Sequence, residues 1–398
     1  MNWYRYIREA YSAILHKGNF KNSAKSRSTK YLDKKLTVLS KKVASGNYKF
    51  SSWIPTSQPK KDGGRRIIII PSFYDRVVLR ALATYLSEKL SSKFDEVVDV
   101  SYAYQKGKGV REALIHLKSL SNPDSVILKV DIKKFFDNID KDIVLNLLKK
   151  NKIDEVAYSL ICESLSPKLN KNEYFEEAQL QIKNGIPQGN AISAILSNLM
   201  LLDLDMQSKS NNLKMIRYAD DIVFVCKDMQ EAQSTLCWAE NYLRNQRNLE
   251  IHPISFEPNA KTSIISSLRK DKLKYLGIEF DGEHLSPTKE CQERFISRIN
   301  TVSRLDNITT EEKITEIKTI INQWCGYYAF TDITNNRLKT LSKKINQACS
   351  YIFKDEWNKV DLIQKVYKFR RRQERKGLKK LLKPVSFGEN YNWLMVYE

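Results

Sequence analysis

The amino-acid sequence predicts an α+β fold that is divided into several subdomains. Strand and helix patterns alternate from about residue 131 to 282, whereas residues 283–398 show helical periodicity and many basic side chains. The chain has 398 residues, of which 42% are hydrophobic, and this length exceeds what one compact core holds. We therefore expect two or three subdomains.

A strong positive charge sets the class of partner that the sequence predicts. Lys and Arg number 67 against 46 Asp and Glu, and the formal net charge of +21 creates a field suited to polyanions. Anionic membranes would also attract this charge. However, the mean hydropathy is −0.48, no apolar run approaches the roughly 18 residues of a spanning helix, and the N-terminus lacks the apolar core of a secretory signal. We expect a cytoplasmic protein that binds nucleic acid and no membrane.

The cysteines and histidines predict neither a zinc site nor a disulfide framework. The six cysteines are scattered without C-x-x-C spacing, and the four histidines are isolated from one another. This pattern favours structural or surface roles for both residue types. The cysteines would remain thiols in a reducing compartment.

Two acidic segments point to the chemistry. Residues 130–139 (VDIKKFFDNI) and 217–225 (RYADDIVFV) each place carboxylates at the edge of an apolar, β-branched run. Residues 215–218 and 222–226 are predicted to be strands, with Asp220 and Asp221 at the turn of the hairpin between them. Together with Asp131, they can supply three acidic ligands to two Mg²⁺ ions, as nucleotidyl transfer requires. An ordinary solvated turn is the alternative for the Asp-Asp pair taken by itself.

Seven segments, in order along the chain, resemble the motifs of reverse transcriptases, specifically the bacterial branch that includes group II intron proteins. Seven motifs in the expected order are far more specific than any one of them. The segments are residues 66–78 (RIIIIPSFYDRVV), 101–109 (SYAYQKGKG), 131–139, 185–193 (GIPQGNAIS), 218–221, 260–262 (AKT) and 275–277 (YLG).

The resemblance implies a right-hand polymerase fold with fingers, a palm of antiparallel sheet plus helices, and a helical C-terminal thumb. Residues 1–60 would form a basic N-terminal helical extension, and residues 61–130 the fingers, with a helix over residues 75–90. The palm would span residues 131–282, with an insertion near residues 143–184 that extends the fingers. The thumb and an RNA-contacting tail would occupy residues 283–398, with helices over 292–302, 310–330 and 336–353.

The same resemblance assigns the catalytic roles. Asp131, Asp220 and Asp221 would hold the two Mg²⁺ ions, and the backbone carbonyl of Ile132 would be a further ligand. Phe136 matches the aromatic residue beneath the sugar of the incoming nucleotide, where a ring collides with a 2′-hydroxyl and so selects deoxynucleotides. Core packing is the alternative for both phenylalanines, and it is the favoured interpretation for Phe135.

Arg66 is the residue predicted to bind the triphosphate through charge-assisted hydrogen bonds. Lys60, Lys61 and Arg65 lie beside it in the sequence and could assist. Lys261 resembles the lysine that is proposed in the family to assist the departure of pyrophosphate.

The segment 185–189 opens a predicted helix whose first N–H groups can face an anion or a base pair, and its glycines permit close approach. By resemblance, Gln188 and Gly189 would contact the templating base and the incoming nucleotide. A proline-containing turn before an ordinary amphipathic helix is the alternative.

The C-terminal part continues the resemblance. Residues 321–329 (INQWCGYYA) resemble the thumb segment of group II intron proteins. Core packing is favoured for Trp324, while Tyr327 and Tyr328 are left open between packing and stacking on bases. Residues 368–380 carry a dense basic run that is predicted to follow RNA phosphates, with a solvated surface as the alternative. The basic residues within 17–35 form either an RNA contact or a solvated linker.

Departures from the family pattern narrow the expected biology. Gln105 and Lys106 stand where the family commonly has Arg-Pro, and Asn190-Ala191 where glycine-rich variants are frequent, but the catalytic residues are intact. Neither a Cys/His endonuclease module nor an RNase H acidic cluster is evident, and the distinctive retron signatures downstream of the palm are not evident either. By analogy, we expect a free-standing bacterial reverse transcriptase that copies a dedicated, structured non-coding RNA into DNA from dNTPs in antiphage defence.

Three other functions remain open from the sequence. The same active site could make DNA without a template or from a protein primer, with the C-terminal tyrosines Tyr391 and Tyr397 as candidate primers. The chain could act as an RNA-binding, maturase-like splicing factor in which polymerase activity is secondary. It could also be a structural RNA scaffold, although the complete set of three aspartates argues against a purely binding role.

Overall fold

The computed structural model describes residues 2–17, 29–59, 63–255, 257 and 260–381. These residues form a mixed structure of helices and antiparallel sheets with a helical C-terminal part, which confirms the predicted α+β class. Lys60, Lys61, Tyr391, Tyr397 and most of the 17–35 segment lie outside the described residues, so their predicted roles stay predictions. Among the described helices, none is both long and apolar enough to cross a membrane.

The N-terminal part packs helices against a small hairpin. Helices α1 (Trp3–Lys17) and α2 (Thr29–Ala44) contact each other, and α1 also contacts α3 (Phe73–Lys89), which covers most of the predicted helix over residues 75–90. Strands β1 (Ile54–Pro59) and β2 (Arg65–Ile70) pair antiparallel. Since β1 lies within residues 1–60, the sheet of the fingers extends into the segment that the sequence assigns to the N-terminal extension.

A buried carboxylate joins these elements. Asp75, near the start of α3, is 1% exposed. It accepts hydrogen bonds from the hydroxyl groups of Tyr48 at 2.6 Å and Ser51 at 2.5 Å, and from Trp53 Nε1 at 3.1 Å. Burial, together with the hydrogen bond to Asp75, raises the pKa of Tyr48. The chain that leads into β1 is therefore fixed to α3 by satisfied polar groups rather than by apolar packing alone.

Two short helices, α4 (Ser91–Glu96) and α5 (Val110–Leu120), follow α3 and lead to the central sheet. This sheet has the strand order β4 (Lys214–Tyr218), β5 (Asp221–Cys226), β3 (Val126–Asp131) and β6 (Ser263–Ile265), with every neighbouring pair antiparallel. The palm sheet thus begins at Val126, slightly before the boundary at residue 131 that the sequence suggests.

Alternate side chains of the sheet enter two separate cores. Leu128, Val130 and Phe224 belong to the core that continues into the N-terminal part. Ile127 and Val223 belong to the core that continues into the C-terminal helices. Successive residues of a strand point to opposite faces, so one sheet can separate two cores.

Between β3 and β4 the chain forms the predicted insertion and a long buried helix. The helices are α6 (Phe135–Asn138), α7 (Lys141–Lys150), α8 (Glu155–Ser164), α9 (Phe175–Asn184) and α10 (Ala191–Ser210). The insertion reaches the segment before β1, because Trp53 N donates to Lys168 O at 2.8 Å and Trp53 O accepts from Asn170 N at 2.8 Å. Helix α11 (Met229–Arg247) follows β5 and packs on the sheet.

The C-terminal part begins with a three-stranded antiparallel sheet of β7 (Leu273–Tyr275), β8 (Ile278–Phe280) and β9 (Leu285–Pro287). Helices α12 (Lys289–Ser303), α13 (Thr310–Tyr328) and α14 (Asn335–Phe353) confirm the three helices predicted from periodicity. A fourth helix, α15 (Leu362–Leu381), contains the basic run over residues 368–380.

Aromatic residues hold these helices together. Trp324 is 8% exposed, and its ring stacks on Phe295 with the centroids 4.6 Å apart. Tyr328 packs against Trp324 and Tyr327, at centroid distances of 4.9 and 4.8 Å. The predicted core role of Trp324 is confirmed, and the two tyrosines, which the sequence left open, extend the same cluster.

Candidate active site

The register of the central sheet brings the three predicted aspartates together. Asp131, the last residue of β3, lies directly opposite Asp221, the first residue of β5. Asp221 also pairs with Tyr218 on β4, so Ala219 and Asp220 form a two-residue turn. Ala219 has a φ of 59°, a left-handed conformation that is uncommon for residues other than glycine. The predicted hairpin is confirmed, and all three carboxylates are half-buried at one end of the sheet.

The neighbouring carboxylates raise the proton affinity of Asp220. Burial, together with the charges of Asp221 and Asp131, raises the pKa of Asp220 to about 7, while Arg66 opposes the shift. Burial also raises the pKa of Asp131, against the opposing charge of Lys261. A site of this kind is strained electrostatically until a cation enters it.

The donor chemistry of this site fits a hard divalent cation. Carboxylate and carbonyl oxygens are the ligands that Mg²⁺ prefers, and Mg²⁺ is commonly held by one or two carboxylates together with water and substrate phosphates. Within the described ranges, no group of three or more Asp, Glu, His or Cys side chains is placed so that it could hold a metal ion, so the binding of two ions by the three aspartates stays a prediction. Ile132 is 1% exposed and bridges to Ile251, and the ligand role of its carbonyl stays a prediction.

Lys261 lies at the site that the sequence assigns to it. Its Nζ is 3.6 Å from Asp131 Oδ2 and 3.2 Å from His252 Nε2. The backbone around it is fixed by His252 N, which donates to Asp131 O at 2.9 Å, and by Thr262 Oγ1, which accepts from Asp131 N at 3.4 Å. The segment 260–262 is therefore attached to the end of β3, and its lysine can reach an anion bound there.

Strand alternation separates Arg66 from Arg65. The charge of Arg66 lowers the pKa of Asp220, so this arginine lies within electrostatic range of the aspartates. Arg65 points to the other side of β2, where it forms an ion pair with Glu177 on α9 and donates from Nε to Glu177 Oε2 at 3.1 Å. Arg65 is thus paired on the side of β2 opposite to Arg66, and the binding of a triphosphate by Arg66 stays a prediction.

The 185–189 loop contacts both β2 and the α6 turn that carries Phe136. Gly185 leaves no room for a side chain, because a Cβ atom would lie 2.3 Å from Phe136 O. Gly189 has a φ of +101°, and a Cβ atom there would lie 2.5 Å from Ile68 Cγ2. The carbonyl of Gln188 accepts from Ile69 N at 3.0 Å. Gly185 is thus required by close backbone approach, and Gly189 by its left-handed conformation.

The side chain of Gln188 is placed differently from its predicted contact. It is 6% exposed, and its Nε2 donates to Asp137 Oδ1 at 2.8 Å. In this structure its amide is directed at Asp137 on α6, so the predicted contact of Gln188 and Gly189 with base and nucleotide stays a prediction.

The two phenylalanines of α6 separate as the sequence suggested. Phe135 is 2% exposed and lies in the core, whereas Phe136 is half-buried at its edge. Their rings meet edge to face, with the centroids 5.5 Å apart. The core interpretation of Phe135 is confirmed, and Phe136 retains an exposed part that a substrate can contact.

A buried arginine network beneath the hairpin was missed by sequence reasoning. Arg217 is 1% exposed and binds Asp205, on α10, through two nitrogens, with Nε to Oδ1 at 2.7 Å. The same guanidinium donates to Ala219 O at 3.0 Å, Asn198 Oδ1 at 3.1 Å and Ser101 Oγ at 2.9 Å. Arg217 therefore joins the catalytic turn to α10 and to the 101–109 segment. The available signal was Asp205, an acidic residue within the apolar pattern of α10.

The motif at residues 275–277 forms a hydrogen bond to the β4–β5 hairpin. The hydroxyl of Tyr275 donates to the carbonyl of Asp221 at 3.1 Å. Burial raises the pKa of this tyrosine well above its usual value, so its hydroxyl stays protonated and available as a donor. The conformation of Asp221 is thus held by the sheet that leads into the C-terminal helices.

An antiparallel sheet with three carboxylates at one end, flanked by an Arg-bearing hairpin and followed by a helical C-terminal part, defines a right-hand nucleic-acid polymerase. The sequence model of the family "Reverse transcriptase (RNA-dependent DNA polymerase)" matches residues 58–280, more than half of the chain. The protein belongs to the reverse transcriptase family, whose members generally use divalent metal ions.

The curated relatives of this chain include a group II intron protein and a retron reverse transcriptase. The group II intron-encoded protein LtrA of Lactococcus lactis is 29% identical over 34% of this chain and 22% of its own length. The retron Ec83 reverse transcriptase of Escherichia coli is 26% identical over 42% of this chain and 50% of its own length. This chain spans half or less of the length of the relatives it matches.

Solved structures with a related outline include apo telomerase from Candida tropicalis. The TM-score is 0.46, with 12% identity over 80% of this chain and 69% of that chain. A likeness of this degree carries no argument about function.

Proposed function

We propose that this protein is an RNA-directed DNA polymerase that adds dNTPs to a primer with two Mg²⁺ ions. One observation carries the proposal: Asp131 and Asp221 stand opposite each other on adjacent strands, and Asp220 occupies the turn beside them. Three carboxylates forced together at a strand end are costly without cations, and nucleotidyl transfer uses such a set.

The residues of this chain have separate tasks in that reaction. Asp131, Asp220 and Asp221 would hold the ions, with the Ile132 carbonyl as a further ligand. When bound, the two ions would activate the primer 3′ oxygen and stabilise the leaving pyrophosphate. Arg66 binds and orients the triphosphate through charge-assisted hydrogen bonds.

Two further side chains complete the site. Phe136 excludes a 2′-hydroxyl and so selects deoxynucleotides. Lys261 neutralises Asp131 in the free protein, at 3.6 Å, and holds a proton at Nζ beside the position of the leaving group. With Asp131 holding an ion instead, the Lys261 ammonium group would be able to bind the pyrophosphate.

The biological setting is the second part of the proposal. We propose that the template is a dedicated structured RNA and that the DNA product serves antiphage defence in the bacterial cytoplasm. The net charge of +21 supports an RNA partner. The resemblance of the seven motifs to bacterial reverse transcriptases supports the setting.

Primer extension on an RNA template tests the chemistry. Wild-type protein with Mg²⁺ and dNTPs is expected to extend the primer, and the Asp220→Ala/Asp221→Ala variant is expected to lose at least 10³-fold in rate, on the order of what loss of metal-held charge costs. Asp306→Ala, which changes an exposed aspartate, is the control. Equal extension by the double variant and the wild type would exclude this active site.

Sequencing the nucleic acid that co-purifies with each variant tests the template. One RNA enriched with both proteins, and complementary DNA made only by the wild type, supports a dedicated template. DNA without complementarity to any bound RNA would favour template-independent or protein-primed synthesis. Enriched RNA without any DNA would favour the maturase-like binding function.

A further inference from the structure

The Phe136 ring, which is proposed to select the sugar, lies on a helix that is too short to be stable without contacts from the rest of the molecule. Helix α6 is a single turn of four residues, Phe135–Asn138, and isolated helices of this length are not stable in water. At its start, Asp137 N and Asn138 N both donate to Lys134 O, at 2.9 and 3.1 Å. The orientation of Phe136 therefore depends on what the turn contacts in the rest of the molecule.

Phe135 anchors this turn in the core, and one continuous stretch of chain supplies polar contacts to it. Gln181 Nε2 and Gln188 Nε2 both donate to Asp137 Oδ1, at 2.9 and 2.8 Å. Ile186 N donates to Phe136 O at 2.9 Å. The backbone of Gly185 presses so closely on Phe136 and Asp137 that even a methyl group would overlap. All of these groups lie between Gln181, in the last turn of α9, and Gln188, which precedes α10.

The two amides are held in fixed positions before any substrate binds. Gln181 and Gln188 are 7% and 6% exposed, so their side chains have little freedom. A carboxylate oxygen that accepts two amide N–H groups is restrained in two directions at once, which a single hydrogen bond does not achieve. Asp137 is thus a fixed point immediately after Phe136 in the chain.

We propose that Asp137, Gln181 and Gln188 form a clamp that sets the position of the Phe136 ring and thereby the discrimination between dNTPs and rNTPs. The inference rests on the proposed polymerase function and on the sugar-facing role of Phe136. Gln181 is a positioning residue in this scheme, acting through Asp137, and it lies outside every motif that the sequence displays. A steric gate works over fractions of an ångström, so a loosened clamp admits the 2′-hydroxyl.

Gln181→Met is the sharpest test, because it keeps the volume and removes the donor. Within the described part of the chain, Gln181 Oε1 is buried without a hydrogen-bond partner, so the substitution also removes an unsatisfied polar atom, and the fold is expected to persist. Gln179→Met, an exposed glutamine on the same helix, is the matched control. The readout is the ratio of kcat/KM for a dNTP to that for the corresponding rNTP on one template.

The expected result is a fall of about tenfold in this ratio for Gln181→Met, mainly through faster use of rNTPs. The ratio for Gln179→Met should equal that of the wild type. Asp137→Leu should lose at least as much as Gln181→Met, whereas Asp137→Asn keeps an acceptor oxygen and should retain most of the discrimination. This aspartate pair answers the question even where Gln181→Met does not fold.

Two kinds of failure are distinguishable. A wild type that selects dNTPs, together with unchanged ratios in Gln181→Met and Asp137→Leu, overturns the clamp alone. Equal losses for dNTP and rNTP in those variants also overturn it, since they indicate general damage rather than loss of selection. A wild type that incorporates neither nucleotide overturns the proposed function, and the clamp with it.

Discussion

At the scale of single residues, Asp220 shows that the negative charge of the site lowers the stability of the folded protein. Its pKa is raised to about 7 by burial and by its acidic neighbours. A carboxyl group whose folded pKa lies above its unfolded value destabilises the folded state as pH rises from the unfolded pKa to the folded one. The penalty is absent below about pH 4 and complete above about pH 7.

Asp220→Asn is therefore expected to stabilise the metal-free protein. The gain should grow from pH 5 to pH 8 and reach roughly 1 to 3 kcal/mol, discounted because the carboxylate is half-buried. Urea unfolding in EDTA at both pH values measures it, with Asp306→Asn as the control. The same variant should lose polymerase activity. An identical gain at pH 5 and pH 8 would contradict the electrostatic cause.

Gly185 gives a second prediction at this scale. A methyl group there would lie 2.3 Å from Phe136 O and 2.4 Å from Asp137 C, so Gly185→Ala must displace α6 or the loop. We expect a loss of about 1 to 3 kcal/mol in unfolding free energy and a larger fall in polymerase activity than stability alone explains. Gly109→Ala is the control, because a Cβ at Gly109 would have only one ordinary contact, at 3.4 Å. Wild-type activity in Gly185→Ala would contradict the close approach.

The sequence identified the residues whose chemistry is unusual and missed those whose role depends on distant partners. Asp131, Asp220 and Asp221 stand out because acids at strand ends have no structural purpose, and the sheet register brings them together. Gln181 has no local pattern, since its hydrogen bond to Asp137 spans separate parts of the chain. Residues of that second kind become visible only in the folded structure.

At the scale of elements, the catalytic hairpin depends on a buried ion pair. Arg217 binds Asp205 on α10 and donates to Ala219 O in the turn. Breaking a buried pair by removing one partner usually costs about 3 to 5 kcal/mol, whereas replacing both partners by apolar residues is often neutral. Variants of this pair can therefore separate an effect on protein stability from an effect on the position of the turn at Ala219 and Asp220.

Arg217→Met alone is expected to destabilise the protein by about 3 to 5 kcal/mol. Arg217→Met combined with Asp205→Leu should recover most of that stability, yet activity should stay low because Ala219 O has lost its donor. Thermal unfolding and the Mg²⁺ concentration for half-maximal activity measure the two effects. Arg247→Met with Asp203→Leu is the matched control, since that pair also involves α10. Full activity in the Arg217/Asp205 double variant would refute an aligning role.

Helices whose apolar positions repeat over several turns could be predicted from the sequence, whereas the short helix α6 and strand β1 could not. The three thumb helices repeat their apolar positions over several turns, so residues 292–302, 310–330 and 336–353 could be assigned from periodicity. Helix α6 has four residues and no period of its own. Strand β1 begins with the exposed Ile54 and is defined by its pairing with β2 rather than by an apolar pattern.

At the scale of the whole molecule, one sheet divides two cores and carries the site at its end. The face with Leu128 and Phe224 joins the N-terminal part, and the face with Ile127 and Val223 joins the C-terminal helices. The subdomain boundaries drawn from the sequence stay predictions, because packing rather than composition defines a subdomain. Packing also separates the basic residues near the C-terminus, because some of them contact other helices and others are exposed to solvent.

Helix α15 shows this division most clearly. Arg370 faces inward and donates from Nε to Ala329 O at 2.8 Å and from Nη2 to Thr331 O at 2.6 Å, at the end of α13. Phe369 packs at Gly326, where a Cβ atom would lie 3.4 Å from its ring. Lys368, Arg371 and Arg375 are exposed on the other side. Among the basic residues of this helix whose side chains the structure describes, these three and the exposed Arg372 can contact phosphates.

Replacing Lys368, Arg371 and Arg375 together by Gln is therefore expected to weaken RNA binding without changing stability. If each residue contacts one phosphate, the slope of log K against log salt should decrease by about 2 to 3, because each lost contact contributes about 0.7 to 0.9. Arg370→Met should do the reverse: it removes two bonds to the end of α13, so it should lower the melting temperature and leave the salt slope nearly unchanged. RNA affinities measured at several salt concentrations, beside thermal unfolding, separate the two faces. An unchanged slope in the triple variant would place the RNA contact elsewhere on the molecule.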